Sequence, residues 1–421
     1  MDQTIPLMPG VTLHCVEAKR FKQGCLSIHF VRPVCREEVS LNTLIPSILL
    51  RGTVRRPDMR AIVQHLDDLY GMSVGEVVRR TGDYMTVGLY FGFIEDRFAL
   101  QGDRILEPVL DFAKELILEP LVEEGGFCKD YVEGEKRNLI ANIENQLNDK
   151  RVYASAQLMQ KMCRADSFGI PRFGTKEDVE AINPVNAYQY YHRMLTVSPI
   201  EVFYVGSADP ELVTSKIREI FSSVYRCPIT LPEQTSFQDG GCGDYEETME
   251  ISQGKLGMGF ITPVSISHKD YVPMQIFNTL FGGGMTSKLF NQVREKMSLC
   301  YAISSGYVGA KGIITVNAGI DSDKCELVKQ EVLHQLQLCC EGEITETELT
   351  AAKEALLSSL RGVYDSSSAI ESFEFSMAMS KLALTQEEYI RRVQSVTLEQ
   401  VVEMAKTLKL HTTFFLKGVD A

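Results

Sequence analysis

Leu280-Phe281-Gly282-Gly283-Gly284-Met285-Thr286-Ser287-Lys288-Leu289-Phe290-Asn291-Gln292-Val293-Arg294-Glu295-Lys296-Met297-Ser298-Leu299-Cys300-Tyr301 closes one apolar run and opens another. Three consecutive glycines permit positive φ angles and a close backbone approach to another surface. Thr286 or Ser287 is placed to cap a helix whose apolar residues Leu289, Phe290, Val293 and Met297 fall on one face. Arg294 then flanks a buried stripe and Tyr301 follows the helix end, so both side chains can reach a common cleft. The same spacing also suits a tight loop packed under an amphipathic helix with no chemistry at all.

Outward from this stretch, the chain divides. At 421 residues it exceeds one ordinary core, and its 44% apolar and 24% charged content is that of a globular protein. A net charge of −13 argues against nucleic acid, which needs a Lys/Arg surplus on some face. No run approaches the ~18 apolar residues of a membrane span, and the first ten residues lack the pattern of a signal peptide. Eleven scattered cysteines include no C-x-x-C pair, which disfavours zinc ribbons and thioredoxin-like motifs and suggests reduced thiols in a cytoplasm.

Two halves read alike. Residues 11–31 predict two strands, 59–69 and 105–118 helices, 85–93 a strand, and 133 to about 162 a long helical region. Residues 199–206 form a buried strand pattern, followed by a helix that Asp209-Pro210 starts. Residues 229–244, with two prolines flanking their start and a Gly-Gly-Cys-Gly run near their end, are the best linker. Beyond it, 255–261 and 312–320 are strands, and 271–281 and 323–340 are helices. Thr345-x-x-Glu348 is a capping box for the next helix. The helix-plus-strand block ending at Gly206 recurs near Gly418, at a spacing of about 212–214 residues. The expected fold is α+β, with two homologous domains of roughly 210 residues, each a mainly antiparallel sheet covered by helices. The boundaries are 1–228 and 245–421, joined by 229–244.

With this organisation, the glycine stretch followed by Val293-Arg294-Glu295-Lys296 and Leu299-Cys300-Tyr301 resembles the C-terminal signature of the insulinase/pitrilysin family of zinc peptidases. Phe168-Gly169-Ile170-Pro171, Gly174-Thr175, Tyr190-Tyr191 and Val205-Gly206 resemble further words of that family, so the likeness covers nearly the whole chain. Such peptidases hold zinc with two His of an H-x-x-E-H motif and a Glu from a later helix, and the Glu inside the motif serves as general base. Counting back from Leu50-Arg51-Gly52-Thr53, the motif falls on Thr43-Leu44-Ile45-Pro46-Ser47. Thr43 and Ser47 stand where the imidazoles would be, and Pro46 stands where the base would be. The later Glu falls on Asn142, with Glu144 close enough for a different register to supply one carboxylate. Neutral hydroxyls are poor zinc ligands and proline accepts no proton. Proline there also removes a backbone donor, which predicts a reshaped turn.

No alternative centre replaces it. The seven histidines are never closer than His14 and His29, so no paired His motif exists; His65 and His192 read as structural. There is no G-x-S-x-G elbow and no P-loop. The resemblance therefore implies a non-catalytic subunit, with no metal or cofactor of its own, that is not an enzyme by itself. In two-subunit and clam-shell relatives the Arg and Tyr of the signature come from the half opposite the zinc and bind the substrate backbone or the polarised carbonyl. Arg294 and Tyr301, with Gly282, Gly283 and Gly284, occupy those positions here. The expected partner is an active, zinc-bearing sister chain in a heterodimer, or a second copy in a homodimer, with an extended peptide as substrate and a cytoplasmic location. Residues 129–140 and Asn148-Asp149-Lys150 are similar to the degenerate, YmfF-like group of Gram-positive bacteria. Two other readings stay open: a structural or binding protein without a peptidase role, and a peptidase with an atypical metal site.

Overall fold

Continuous burial along Gln23–Pro33 sets the frame, because both faces of this strand are covered, as in the centre of a sheet packed on each side. The computed structural model describes residues 3–234, 236–382 and 384–418. Their strands are β1 (Gln3–Met8), β2 (Val11–Glu17), β3 (Gln23–Pro33), β4 (Ser73–Thr81), β5 (Tyr84–Ile94), the short pair β6 (Val122–Glu123) and β7 (Gly126–Phe127), β8 (Ile200–Gly206), β9 (Gly243–Met249), β10 (Gly254–Ile261), β11 (Cys300–Val308), β12 (Ile313–Ile320) and β13 (Lys409–Gly418).

The first sheet has the order β1-β2-β8-β3-β5-β4 and the second β11-β12-β10-β13-β9. Written from the other edge, the second is β9-β13-β10-β12-β11, which repeats β2-β8-β3-β5-β4 element for element. Each sheet has one parallel pair at the corresponding place, β2 with β8 and β9 with β13; all other pairs are antiparallel. The fold is α+β with two homologous halves.

Compact units do not follow the sequence halves. One unit holds the chain up to Ile143, Arg172–Glu233 and Val363–Ser376; the other holds Glu144–Pro171, Gln234–Gly362 and the chain from Met377 on. Each unit thus includes one segment drawn from the other half. These units are not contiguous in sequence, unlike the expected division into 1–228 and 245–421.

In the first unit, Cys25, Ser27 and His29 share one face of β3. Val363–Ser376 lies on that face. Ile370 packs with Val16, Cys25 and Val205, and Glu371 meets Ser27 at 2.7 Å and His29 at 2.9 Å. Arg79 of β4 donates to both Glu371 oxygens, at 3.2 and 2.8 Å, and lies over Phe375. In the second unit the helix Lys150–Met162 covers the corresponding face of β10. Gly257 and Gly259 make room for it: a Cβ at Gly259 would stand 2.5 Å from the Met162 sulfur, and one at Gly257 would stand 3.1 Å from Leu158. Asp166, just past that helix, pairs with the fully buried Lys311 at 2.9 Å and accepts from the Phe168 and Gln238 backbone N–H groups.

Four local expectations change. The helical region after Glu133 is two helices, Lys129–Asn145 and Lys150–Met162, because Asp149 caps the second through the N–H groups of Arg151 and Val152. The helix Arg36–Leu49 runs continuously through Pro46 rather than being reshaped there. The helix after the glycines is a π-helix over Phe290–Lys296, whose Met297 N–H reaches back five residues to Gln292 at 3.0 Å. That wider turn carries Met297 off the apolar face, leaving it 48% exposed while Leu289 and Val293 stay buried. Finally, none of Gly282, Gly283 and Gly284 has a positive φ. Among the described residues no helix is long and apolar enough to cross a membrane.

Candidate functional site

Thr43 and Ser47 are one turn apart on the helix Arg36–Leu49, so they share a face. Glu135, Asn138 and Asn142 share a face of the helix Lys129–Asn145 by the same spacing. Together with Glu76 and Val78 of β4 and with Arg172 and Phe173, they line a cavity of about 590 Å³ in the first unit. Three of the four motif positions, Thr43, Ser47 and Asn142, therefore come together. Pro46 is buried in its helix outside the lining, and Glu144 is not among the lining residues.

The hydrogen bonds show what this lining does. Thr43 donates back to the Val39 carbonyl at 3.0 Å, a bond internal to its helix. Ser47 donates to the Glu76 carboxylate. Glu135 is held by Arg51 at 3.2 Å and by the Asn138 amide at 3.1 Å. Arg172 donates to the Val78 carbonyl at 2.8 Å and lies over the Phe173 ring. Zinc does not fit this set: two alcohols and a carboxamide replace the nitrogen and carboxylate ligands that a catalytic site needs. Proline at the base position supplies no proton acceptor.

In the second unit, Gly282 ends the helix Tyr271–Phe281. Its carbonyl accepts from the Ser305 N–H at 2.8 Å, and a Cβ there would meet Ser305 at 2.7–2.8 Å. A Cβ on Gly283 would come within 2.7 Å of the Thr279 Cα, while Gly284 has open space around it. The glycines thus serve close backbone packing at two positions and exposure at the third. Ser287 caps the following helix through the Phe290 N–H. Lys288, buried beside it, pairs with Glu348 at 2.9 Å, and Glu348 is also the far end of the Thr345 capping box.

Arg294 lies over the Phe290 ring, 4.6 Å from its centre, with its side chain 41% exposed and Glu295 3.6 Å away. Tyr301, on β11 beside that helix, is 60% exposed and donates its hydroxyl to Asp321 at 2.9 Å. That hydrogen bond holds the phenol above its usual range. Between them, Cys300 is pushed up to about 11 by burial, against the lowering effect of Arg294. No thiolate nucleophile is available there.

Sequence reasoning missed Glu76, Arg172, the buried partners Ser27 and Glu371, and the half-buried Arg79. Glu76 lies on the edge strand β4, whose Ser-Val-Gly-Glu-Val-Val stretch has no regular apolar alternation to mark it. His65 sits against Arg56 and Phe112, and His192 against Tyr188, as structural residues do.

The family model described as "Peptidase M16 inactive domain" matches residues 181–356. The "Probable inactive metalloprotease YmfF" of Bacillus subtilis is 28% identical over 411 residues, covering 98% of this chain and 96% of that protein. A crystal structure of a conserved protein from Enterococcus faecalis has a TM-score of 0.92 at 28% identity, covering 99% of each chain. A peptidase M16 inactive domain from Pseudomonas fluorescens shares the fold, with a TM-score of 0.83 at 20% identity over 100% of this chain and 99% of that one. With the repeated sheets, these likenesses make the chain similar over nearly its whole length to proteins described as inactive members of the M16 (insulinase/pitrilysin) peptidases, and its Thr43, Pro46, Ser47 and Asn142 positions supply no zinc ligands.

Proposed function

We propose that this chain is the non-catalytic subunit of a bacterial, cytoplasmic insulinase-family peptidase, that it binds an extended peptide, and that it completes the zinc site of an active sister chain. The observation that carries this reading is the contrast between the two units. The metal motif has lost its ligands, yet Arg294 and Tyr301 remain accessible on neighbouring elements beside an exposed Gly283-Gly284 loop. A guanidinium and a phenol are hydrogen-bond donors suited to a peptide carbonyl or the oxyanion that forms from it. Zinc belongs to the partner in this scheme, and this chain contributes donors only.

Mixing tests it. The chain and an intact H-x-x-E-H sister are expected to be inactive or weak apart and active together. Arg294→Ala should then cut the mixed activity roughly a hundredfold to a thousandfold. Mixed activity unchanged by Arg294→Ala would remove the complementation role. A second reading, a binding protein with no peptidase partner, is favoured by one observation: Tyr301 already spends its proton on Asp321. Under that reading no sister chain co-purifies, and a homodimer is the alternative assembly.

A further inference from the structure

The cavity at the lost metal motif is chemically uneven in a way that selects a ligand. Of its charged lining groups, Glu135 is already held by Arg51 and Asn138. Arg172 is already engaged by the Val78 carbonyl and the Phe173 ring. Glu76, an exposed carboxylate, has only the Ser47 hydroxyl, and no described cation lies within ion-pairing distance of it. The walls around these groups include Leu44, Leu139 and Phe173, which are apolar. A hydrated divalent ion would leave those walls bare, and the lining offers few of the six or more oxygen ligands that calcium takes. An anion would face Glu76 and Glu135 with Arg172 already committed. A side chain with a long apolar stem and a cationic head satisfies both parts of the lining at once.

We propose that this cavity takes the side chain of a lysine or arginine from a bound peptide, with its charged end at Glu76 and its methylene stem along Leu44, Leu139 and Phe173. An organic cation then stands where relatives of this chain place a metal. The inference rests on the peptide-binding part of the proposed function but not on complementation, because it concerns the first unit alone.

The test uses the full chain and two blocked nonapeptides of alanine and serine, identical except for a central lysine or norleucine. Norleucine keeps the stem and removes the charge. Calorimetric titration should show the lysine peptide binding about tenfold more tightly or better, with the difference shrinking as salt is raised. Glu76→Gln should abolish the difference. Equal binding of the two peptides overturns this inference while leaving peptide binding standing. Binding of neither overturns both. A preference for lysine that survives Glu76→Gln also overturns it. The comparison of the two peptides on the unaltered chain needs no variant to fold.

Discussion

The imidazole Nε2 of His29 and the carboxylate of Glu371 lie 2.9 Å apart, both buried, although 342 positions separate them in the chain. Ser27 and Arg79 complete the cluster. Burial alone would raise the Glu371 pKa, but hydrogen bonds from His29 and Arg79 outweigh it and bring it down to about 2. Burial pushes His29 below the usual imidazole range, against the raising effect of Glu371. The segment Val363–Ser376 is therefore fastened by one carboxylate with three donors.

Removing that carboxylate should be costly. Glu371→Ala leaves His29 and Ser27 buried without their acceptor and is expected to destabilise the protein by about 3–5 kcal/mol. Urea unfolding monitored by circular dichroism measures it; a loss under 1 kcal/mol would contradict the role given to the cluster.

Acid should act on the same place. His29 is neutral in the fold, so below its unfolded pKa of 6.5 the unfolded state binds the extra proton and stability falls. Glu371 adds a second loss as pH drops from 4.5 toward 2, where the folded carboxylate finally protonates. Unfolding midpoints should decline from neutral pH downward, and His29→Asn should flatten the portion near pH 5.5–6.5 while leaving the more acidic portion.

Restoring ligands should restore metal. The combined change Thr43→His, Ser47→His and Asn142→Glu puts nitrogen and carboxylate donors on two helix faces that already meet in one cavity. Stoichiometric zinc in this variant, with none retained by the unaltered chain after the same dialysis, is the expected result by metal analysis. Pro46→Glu is the further change needed for a proton acceptor.

The first and last glycines of the run Gly282–Gly284 should behave differently. Gly282→Ala forces a methyl group against Ser305 and should cost about 1–3 kcal/mol. Gly284→Ala meets nothing and should stay within about 0.5 kcal/mol. Thermal melts of the two single variants suffice.

Tyr301 offers a spectroscopic check. Since the Asp321 hydrogen bond is the main cause of its raised pKa, Asp321→Asn should lower the phenol's titration midpoint in ultraviolet difference spectra. An unchanged midpoint would mean that the Tyr301–Asp321 contact does not persist in solution.

Much of the fold was legible because it was written twice. The strand ending at Gly206 and its counterpart near Gly418 revealed the duplication, and the sheet orders repeat it strand for strand. Edge strands β4 and β11 were not legible: each is only half buried, so Glu76 and its neighbours gave a weak apolar signal. Helix spacing was enough to predict that Thr43 and Ser47 share a face, since that follows from residues four apart. It could not locate Arg172 or Glu371, which reach their partners through tertiary contacts. The π-helix was also hidden, because an apolar pattern read at 3.6 residues per turn places Met297 on the buried face.

The segments taken from the other half set an order for biosynthesis. The β3 face bearing Cys25, Ser27 and His29 waits for residues 363–376, so the first unit cannot close while the ribosome is still making the second. Glu144–Pro171, in turn, emerges well before the β10 surface it covers. A fragment ending within residues 229–244 would carry apolar surface on both counts and should be recovered as aggregate, whereas the full-length chain closes both units together.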